Sequence, residues 1–189
     1  MPQLCRRLRR PLGTCSEQVA LLKADRRGAV AIEFAIFAGL LSVAILNVVD
    51  VSIYVFQRMQ IENATQMAAQ AASKNCGDAT KLPATTNCSA LNSAVQVAVS
   101  STSLGTRVVL QSGSPSEGYY CVNSSNALQY VSDVSSKPAD CAAAGMSSLQ
   151  PGDYIKITTT FSYAPLFPGI TVAKTFATPI VRTAMMRLG

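Results

Sequence analysis

Apolar residues run almost unbroken from Ala29 to Val49, with Glu33 the sole ionisable side chain and Asn47 the sole amide among them. As a helix, such a run is about 30 Å long at 1.5 Å per residue, the thickness of a bilayer's hydrocarbon core. The apolar positions then thin out without stopping. Val51, Tyr54, Val55 and Arg58, then Ala64, Met67, Ala68 and Ala71, recur at three- and four-residue intervals with no Pro or Gly between them, which is the helical period. The pattern predicts one continuous helix over residues 30–73, with Asn75 and Gly77 as stop signals. Its outer half is rich in alanine (Ala64, Ala68, Ala69, Ala71, Ala72). Alanine lets a helix pack closely but gives a solitary surface helix only a thin hydrophobic face.

Beyond it, residues 76–88 read as a polar loop containing Pro83, followed by a second short helix with Leu91, Ala94, Val95, Ala98 and Val99 on one face. The period then drops to two. Residues 107–111, 119–123, 128–131 and 153–163 carry β-branched and aromatic residues between Gly, Ser, Asn and Pro breaks, and Tyr154 to Phe161 (YIKITTTF) is the clearest strand. A final segment, 170–186, is expected to pair with it across the turn 164–169, with Pro179 marking an edge or a bulge. The expected fold class is α+β: a long N-terminal helix, membrane-embedded in its first half, and a small antiparallel β-sheet head with a short helix. The expected organisation is a leader at 1–28, the long helix at 29–75 and the head at 76–189.

Charge changes this picture mainly at the N-terminus. Arg6, Arg7, Arg9, Arg10, Lys23, Arg26 and Arg27 against Glu17 and Asp25 give the leader +5 of the chain's net +6. The remainder is nearly neutral, so no nucleic-acid partner is expected. Arginines before an apolar span favour a cytoplasmic N-terminus and place the C-terminal bulk outside the cytoplasm. Histidine and tryptophan are absent. The commonest general base and the commonest zinc ligand are therefore both missing, and the scattered Lys156, Lys174, Asp133, Asp140 and Asp153 read as solvated strand and loop residues. No enzymatic activity, metal or cofactor is expected.

Cys76, Cys88, Cys121 and Cys141 lie in the exported part, and Cys5 and Cys15 in the leader. An even number in an oxidising compartment suggests two disulfides. Three pairings are open, and locality favours Cys76 with Cys88 and Cys121 with Cys141, spans of 12 and 20 positions. A zinc site is the rival, but no CxxC pair and no histidine supports it. The leader cysteines should stay reduced.

Glu33 remains unexplained by a plain span, because a carboxylate inside hydrocarbon costs about 2.5 to 3.5 kcal/mol on insertion scales. If the peptide bond after Gly28 is cut, a new α-amine sits on Ala29 and Glu33 becomes the fifth residue of the mature chain. The spacing from Gly28 to Glu33 resembles the prepilin peptidase site of type IV pilins and pseudopilins, and Glu33-Phe34 resembles the Glu-Tyr or Glu-Phe pair of the Tad branch. With Ala31-Ile32-Glu33-Phe34-Ala35-Ile36, the alanine-rich Gln66 to Ala72, and a terminal pattern of Ile157 to Tyr163, Pro165, Leu166, Phe167-Pro168 and Arg182-Thr183-Ala184, the chain resembles the TadE-like family of minor pilins. The cysteine-bearing middle carries no such likeness.

That resemblance implies a minor pilin or pseudopilin precursor acting in the initiation, tip or regulation of a Tad-type type IV pilus used in surface adhesion. Gly28, Ala29, Glu33 and Phe34 would form the processing site, and Glu33 would also act in assembly. The implied partners are a prepilin peptidase, a major pilin and other minor pilins, an inner-membrane platform and motor, and the lipid bilayer. The implied location is the bacterial inner membrane, single-pass with a periplasmic head, and the extracellular pilus after assembly. Several other readings compete. A signal-anchored periplasmic binding or adhesion module needs neither Gly28 nor Glu33. A twin-arginine signal at Arg26-Arg27 lacks its flanking pattern. Signal cleavage after Ser42-Val43-Ala44 would leave Ile45 to Val49 as an apolar stub. A membrane-anchored hydrolase would have to work without histidine.

Overall fold

The computed structural model describes the backbone of residues 26–188 and the side chains of residues 28–188. Cys5 and Cys15, with the rest of the leader up to residue 25, lie outside the described residues. Helix α1 is Arg26–Cys76, without interruption. Its end follows from local chemistry. Gly77 N donates to the Ser73 carbonyl and Lys81 Nζ to that of Asn75, so two carbonyls of the last turn are satisfied, while Asn75 Nδ2 reaches back to the Ala71 carbonyl one turn earlier. A Cβ on residue 77 would lie 2.5 Å from the Ser73 carbonyl oxygen. The stop therefore requires glycine.

The chain divides into two units, Met1–Leu46 and Asn47–Gly189. The first, as described, is the opening part of α1. The second holds the rest of α1 and everything after it: a helical turn α2 (Ala84–Asn87), helix α3 (Leu91–Ser100), and strands β1 (Val109–Leu110), β2 (Ser116–Val122), β3 (Leu128–Ser132), β4 (Gly152–Phe161) and β5 (Ile180–Leu188). The five strands form one sheet, antiparallel throughout. Central β4 pairs with β5 from Asp153↔Leu188 to Phe161↔Ile180. It also pairs with β2 from Gly152↔Tyr120 to Lys156↔Ser116, and with β1 at Thr159 and Thr160. Strand β3 extends the sheet from β2.

Period-two burial on β4 turns Ile155, Ile157, Thr159 and Phe161 to one side. The second half of α1 answers with Ile61, Ala64, Thr65, Ala68, Ala69, Ala72 and Cys76, all buried at helical spacing in the same core. Most of these are alanines, so the helix can approach the sheet closely. The buried hydroxyls of this layer are paired, since those of Thr65 and Thr159 lie 2.5 Å apart and Thr65 also donates to the Ile61 carbonyl. Buried hydroxyls without partners would oppose folding. Leu91, Val95 and Val99 of α3 complete the core, with Ala94 and Ala98 half-buried beside them, as the sequence pattern required.

The two disulfides are those that locality favours: Cys76–Cys88 and Cys121–Cys141, each with Cα atoms 5.7 Å apart. The first ties the end of α1 to the segment that follows α2. The second anchors β2 to the loop after β3 and, with Ala144, Val131 and Met146, forms a separate small apolar cluster.

Three local expectations need correction. The 76–88 segment is not only loop, since it holds a 3-10 turn at Ala79–Lys81, capped by Asp78, and the α2 turn. Strand β2 begins at Ser116 rather than at 119, because residues 116–118 pair with Lys156, Ile155 and Tyr154 of β4. The last strand begins at Ile180, not at 170. Side chains of α1 capture the backbone around residues 166–172, Thr171 caps a 3-10 turn at Val172–Thr175, and Pro179 sits just before the ladder starts.

Candidate functional site

Every side chain from Gly28 to Phe37 is exposed, including the large apolar Val30, Ile32, Phe34, Ile36 and Phe37. A helix apolar on all sides and covered by none of the described residues suits a membrane rather than water. It is the single described helix long and apolar enough to cross a bilayer, and none of its most apolar stretch is buried. This supports a single-pass membrane anchor.

Gly28 lies within regular helix, and a Cβ built there meets nothing within 4 Å. Neither backbone conformation nor packing inside the chain explains a glycine at this position. Glu33 follows five positions later, exposed, with no hydrogen bond or ion pair among the described residues. Ala29 and Phe34 are likewise exposed. The four predicted processing residues thus share one short stretch of the first unit, without a side-chain partner among the described residues, and the four cysteines are crosslinks within the second unit.

At the far end of the apolar run the arrangement reverses. Asp50 is fully buried, and its carboxylate accepts the backbone N–H groups of Leu166 (2.9 Å) and Phe167 (3.1 Å). One turn earlier, Asn47 donates from Nδ2 to the Ile170 carbonyl (3.2 Å) and accepts from the Val172 N–H at Oδ1 (2.8 Å). Tyr163 donates its hydroxyl to the Asp50 carbonyl at 3.3 Å and meets Tyr54 edge-on, and Tyr54 also packs on Phe176. Sequence reading noted Asn47 only as an interruption and did not weigh Asp50. The signal was present: Asn47, Asp50 and Tyr54 continue the helical face that later buries Ile61, Thr65, Ala68 and Ala72.

Of two carboxylates in the head, Glu117 was not weighed in the sequence, and Asp153, expected to be solvated, is instead buried. Glu117 on β2 accepts the N–H groups of Ala84 (2.8 Å) and Thr85 (2.7 Å) and the Thr85 hydroxyl, fixing α2 against the sheet. Asp153, at the start of β4, has its carboxyl pushed up to about 6 by burial and by the Glu117 charge, with Lys137 opposing. Tyr119, half-buried between these groups, has its phenol raised by burial and by the Asp153 and Glu117 charges. Of these groups Glu117 caps the α2 turn. Among the described residues no cluster of His, Cys, Asp or Glu has the makings of a metal site.

A glycine without a structural reason, a lone carboxylate five residues on and a helix without a covering partner frame the comparison with known families. Residues 28–70 match the TadE-like protein family. The TadE-like segment runs from Gly28 through Ala29, Glu33 and Phe34 to Gln70, so the resemblance read from these residues is shown over the helix. The terminal pattern at 157–168 and 182–184 lies outside it. TadE-like proteins are pilin-like and associated with Tad pili, a structural rather than an enzymatic family. No curated protein and no solved structure matches the chain.

Proposed function

We propose that the chain is the precursor of a minor pilin or pseudopilin that acts in assembly of a Tad-type pilus used in surface adhesion. The observation that carries this reading is Glu33: a carboxylate with no described partner, in an exposed apolar helix, five residues after a glycine that the fold does not need. A prepilin peptidase cuts after Gly28, which leaves the α-amine of Ala29 about one turn from Glu33. In an assembling bundle, the Glu33 carboxylate pairs with its own or a neighbouring subunit's α-amine. Two charges that are each unfavourable in hydrocarbon then favour one axial register over others.

A second feature supports the same reading. In the head unit, Val55, Phe56 and Met59 of α1 are exposed on the side away from the sheet. Their spacing puts an apolar stripe where a major pilin or another minor pilin could pack. An inner-membrane platform and a cytoplasmic motor would raise the subunit from the bilayer into the filament, with the head periplasmic until then.

Intact mass of the protein purified from its native membrane tests the first step, with a chain starting at Ala29 as the expected result. Replacing Gly28 by Phe should leave essentially all of it as full-length precursor. Glu33→Gln keeps shape and loses charge, so it should still insert and be cut, yet fail to co-purify with the other pilins. An uncut native chain would instead favour a signal-anchored periplasmic module. Normal co-purification of Glu33→Gln would remove the charge-pairing role.

A further inference from the structure

The segment 165–172, Pro-Leu-Phe-Pro-Gly-Ile-Thr-Val, contains no charge, and it exposes Leu166 (60%), Ile170 (50%) and Val172 (56%). Loops usually carry polar side chains outward, so an uncharged loop with three exposed aliphatic residues asks for a covering medium. Its place on the helix says which medium. Within the head unit, the last turn of the apolar run is Asn47 to Val49, and its Val48 and Val49 are themselves exposed. The loop is fastened to this turn and the next by the Asn47 and Asp50 hydrogen bonds. Counting from Ala29, the roughly 20 residues that a bilayer core requires end at this same turn.

The polar chemistry fits such a place. Asn47 would be unfavourable at the edge of the hydrocarbon with an unpaired amide, but both its polar ends are taken up by the loop. Much of the loop's own backbone N–H set is satisfied in return. Its Leu166, Phe167 and Val172 N–H groups and its Ile170 carbonyl are held by α1, and the Ile170 and Thr171 N–H groups by the Phe167 carbonyl. Irregular backbone is excluded from the hydrocarbon core itself, so the loop belongs at headgroup depth. Just beyond it Lys174 is exposed, suitably placed for anionic headgroups.

We infer that segment 165–172 is a second membrane contact, a collar that rests its Leu166, Ile170 and Val172 side chains in the headgroup layer of the leaflet from which α1 emerges. The inference rests on α1 crossing a bilayer, but not on cleavage after Gly28 or on filament assembly. In the membrane-resident subunit the collar fixes the depth of the head. Withdrawal from the bilayer into any assembly exposes these three side chains, so the collar also sets a hydrophobic cost that the extracting partner must offset.

Because the chain contains no tryptophan, single substitutions report depth directly. Leu166→Trp, with Ile170→Trp as an independent repeat, is compared with Phe37→Trp in the span and Leu128→Trp on β3. Each full chain is reconstituted in phosphatidylcholine–phosphatidylglycerol vesicles carrying a quencher either beside the headgroup or deep in the acyl chain. The expected result is deep quenching of Phe37→Trp, and shallow quenching of Leu166→Trp and Ile170→Trp with several-fold protection from aqueous acrylamide relative to Leu128→Trp. If both loop variants behave like Leu128→Trp while Phe37→Trp is quenched, the collar is wrong and the span stands. If Phe37→Trp is itself unquenched, the membrane reading of α1 fails and the collar falls with it.

Discussion

In the first half of α1 the exposed side chains are the large apolar ones, among them Phe34, Phe37, Leu40 and Leu41, while in the second half the fully buried ones are mostly Ala64, Ala68 and Ala72. Size and burial are inverted relative to an ordinary soluble helix. The inversion follows from what each half meets. Lipid accommodates any apolar shape, so bulk raises the transfer free energy at no cost in fit. A sheet at fixed distance accepts only what fits between it and the helix axis, and alanine lets Ile155, Ile157 and Phe161 fill that space. One continuous element therefore obeys two solvents, and each half should respond differently to the same kind of change.

The sharpest way to break this comparison is to delete bulk from both partners. Ile157→Ala, in the core opposite α1, should destabilise the head by about 2–5 kcal/mol. Phe37→Ala, exposed in the apolar half, should leave the head's unfolding midpoint where it was. Denaturant titration of the full chain in detergent, followed by tyrosine circular dichroism, measures both. Equal losses would mean that the two halves do not differ as described.

Next in size are the crosslinks. Removing Cys76–Cys88 by paired serine substitution should cost about 3 kcal/mol in the chain-entropy model, and the same titration reads it. A variant as stable as the parent would show that the end of α1 is held by packing alone.

Smaller again is the change at the junction between the two environments. Asp50→Ala leaves the Leu166 and Phe167 N–H groups without their acceptor, a loss of about 1–3 kcal/mol. Hydrogen exchange at those two amides should accelerate more than anywhere in β4. Unchanged exchange would mean that the loop does not depend on the carboxylate.

The smallest effect is a pH dependence confined to the head. With its folded-state value raised from 3.8 to about 6, Asp153 contributes stability fully below the unfolded value of about 3.8, and that contribution is lost as pH rises through about 6. Wild type should therefore lose stability between about pH 4 and pH 6.5 in a way that Asp153→Asn does not, leaving the variant the more stable at pH 8. Thermal midpoints across that range check it, and parallel profiles would count against Asp153 as the source.

Much of this was legible because it depends on short-range pattern. The period of 3.6 through Ala72, the period of two from Tyr154 to Phe161, and the Leu91, Val95 and Val99 face each encode which side of an element is apolar. Any fold using these elements must cover those sides. Glu33 and Gly28 stood out for the complementary reason: local physics opposes a carboxylate in an apolar run and gives no cause for the glycine. The Cys76–Cys88 and Cys121–Cys141 pairs followed from loop closure, which favours near neighbours.

What the sequence by itself determined is therefore the main elements, their apolar faces, the membrane-length run and the residues that break its rules. Only the tertiary structure decided which elements share partners. That β4 takes β5 along one edge and β2 and β1 along the other depends on contacts between residues far apart in the chain, and no local period carries that information. The start of β5 at Ile180 rather than 170 was settled in the same way. Asn47 and Asp50 compete for the backbone of 166–172 and win it, because a buried carboxylate with a half-buried amide beside it loses more by going unpaired than a strand loses by beginning later.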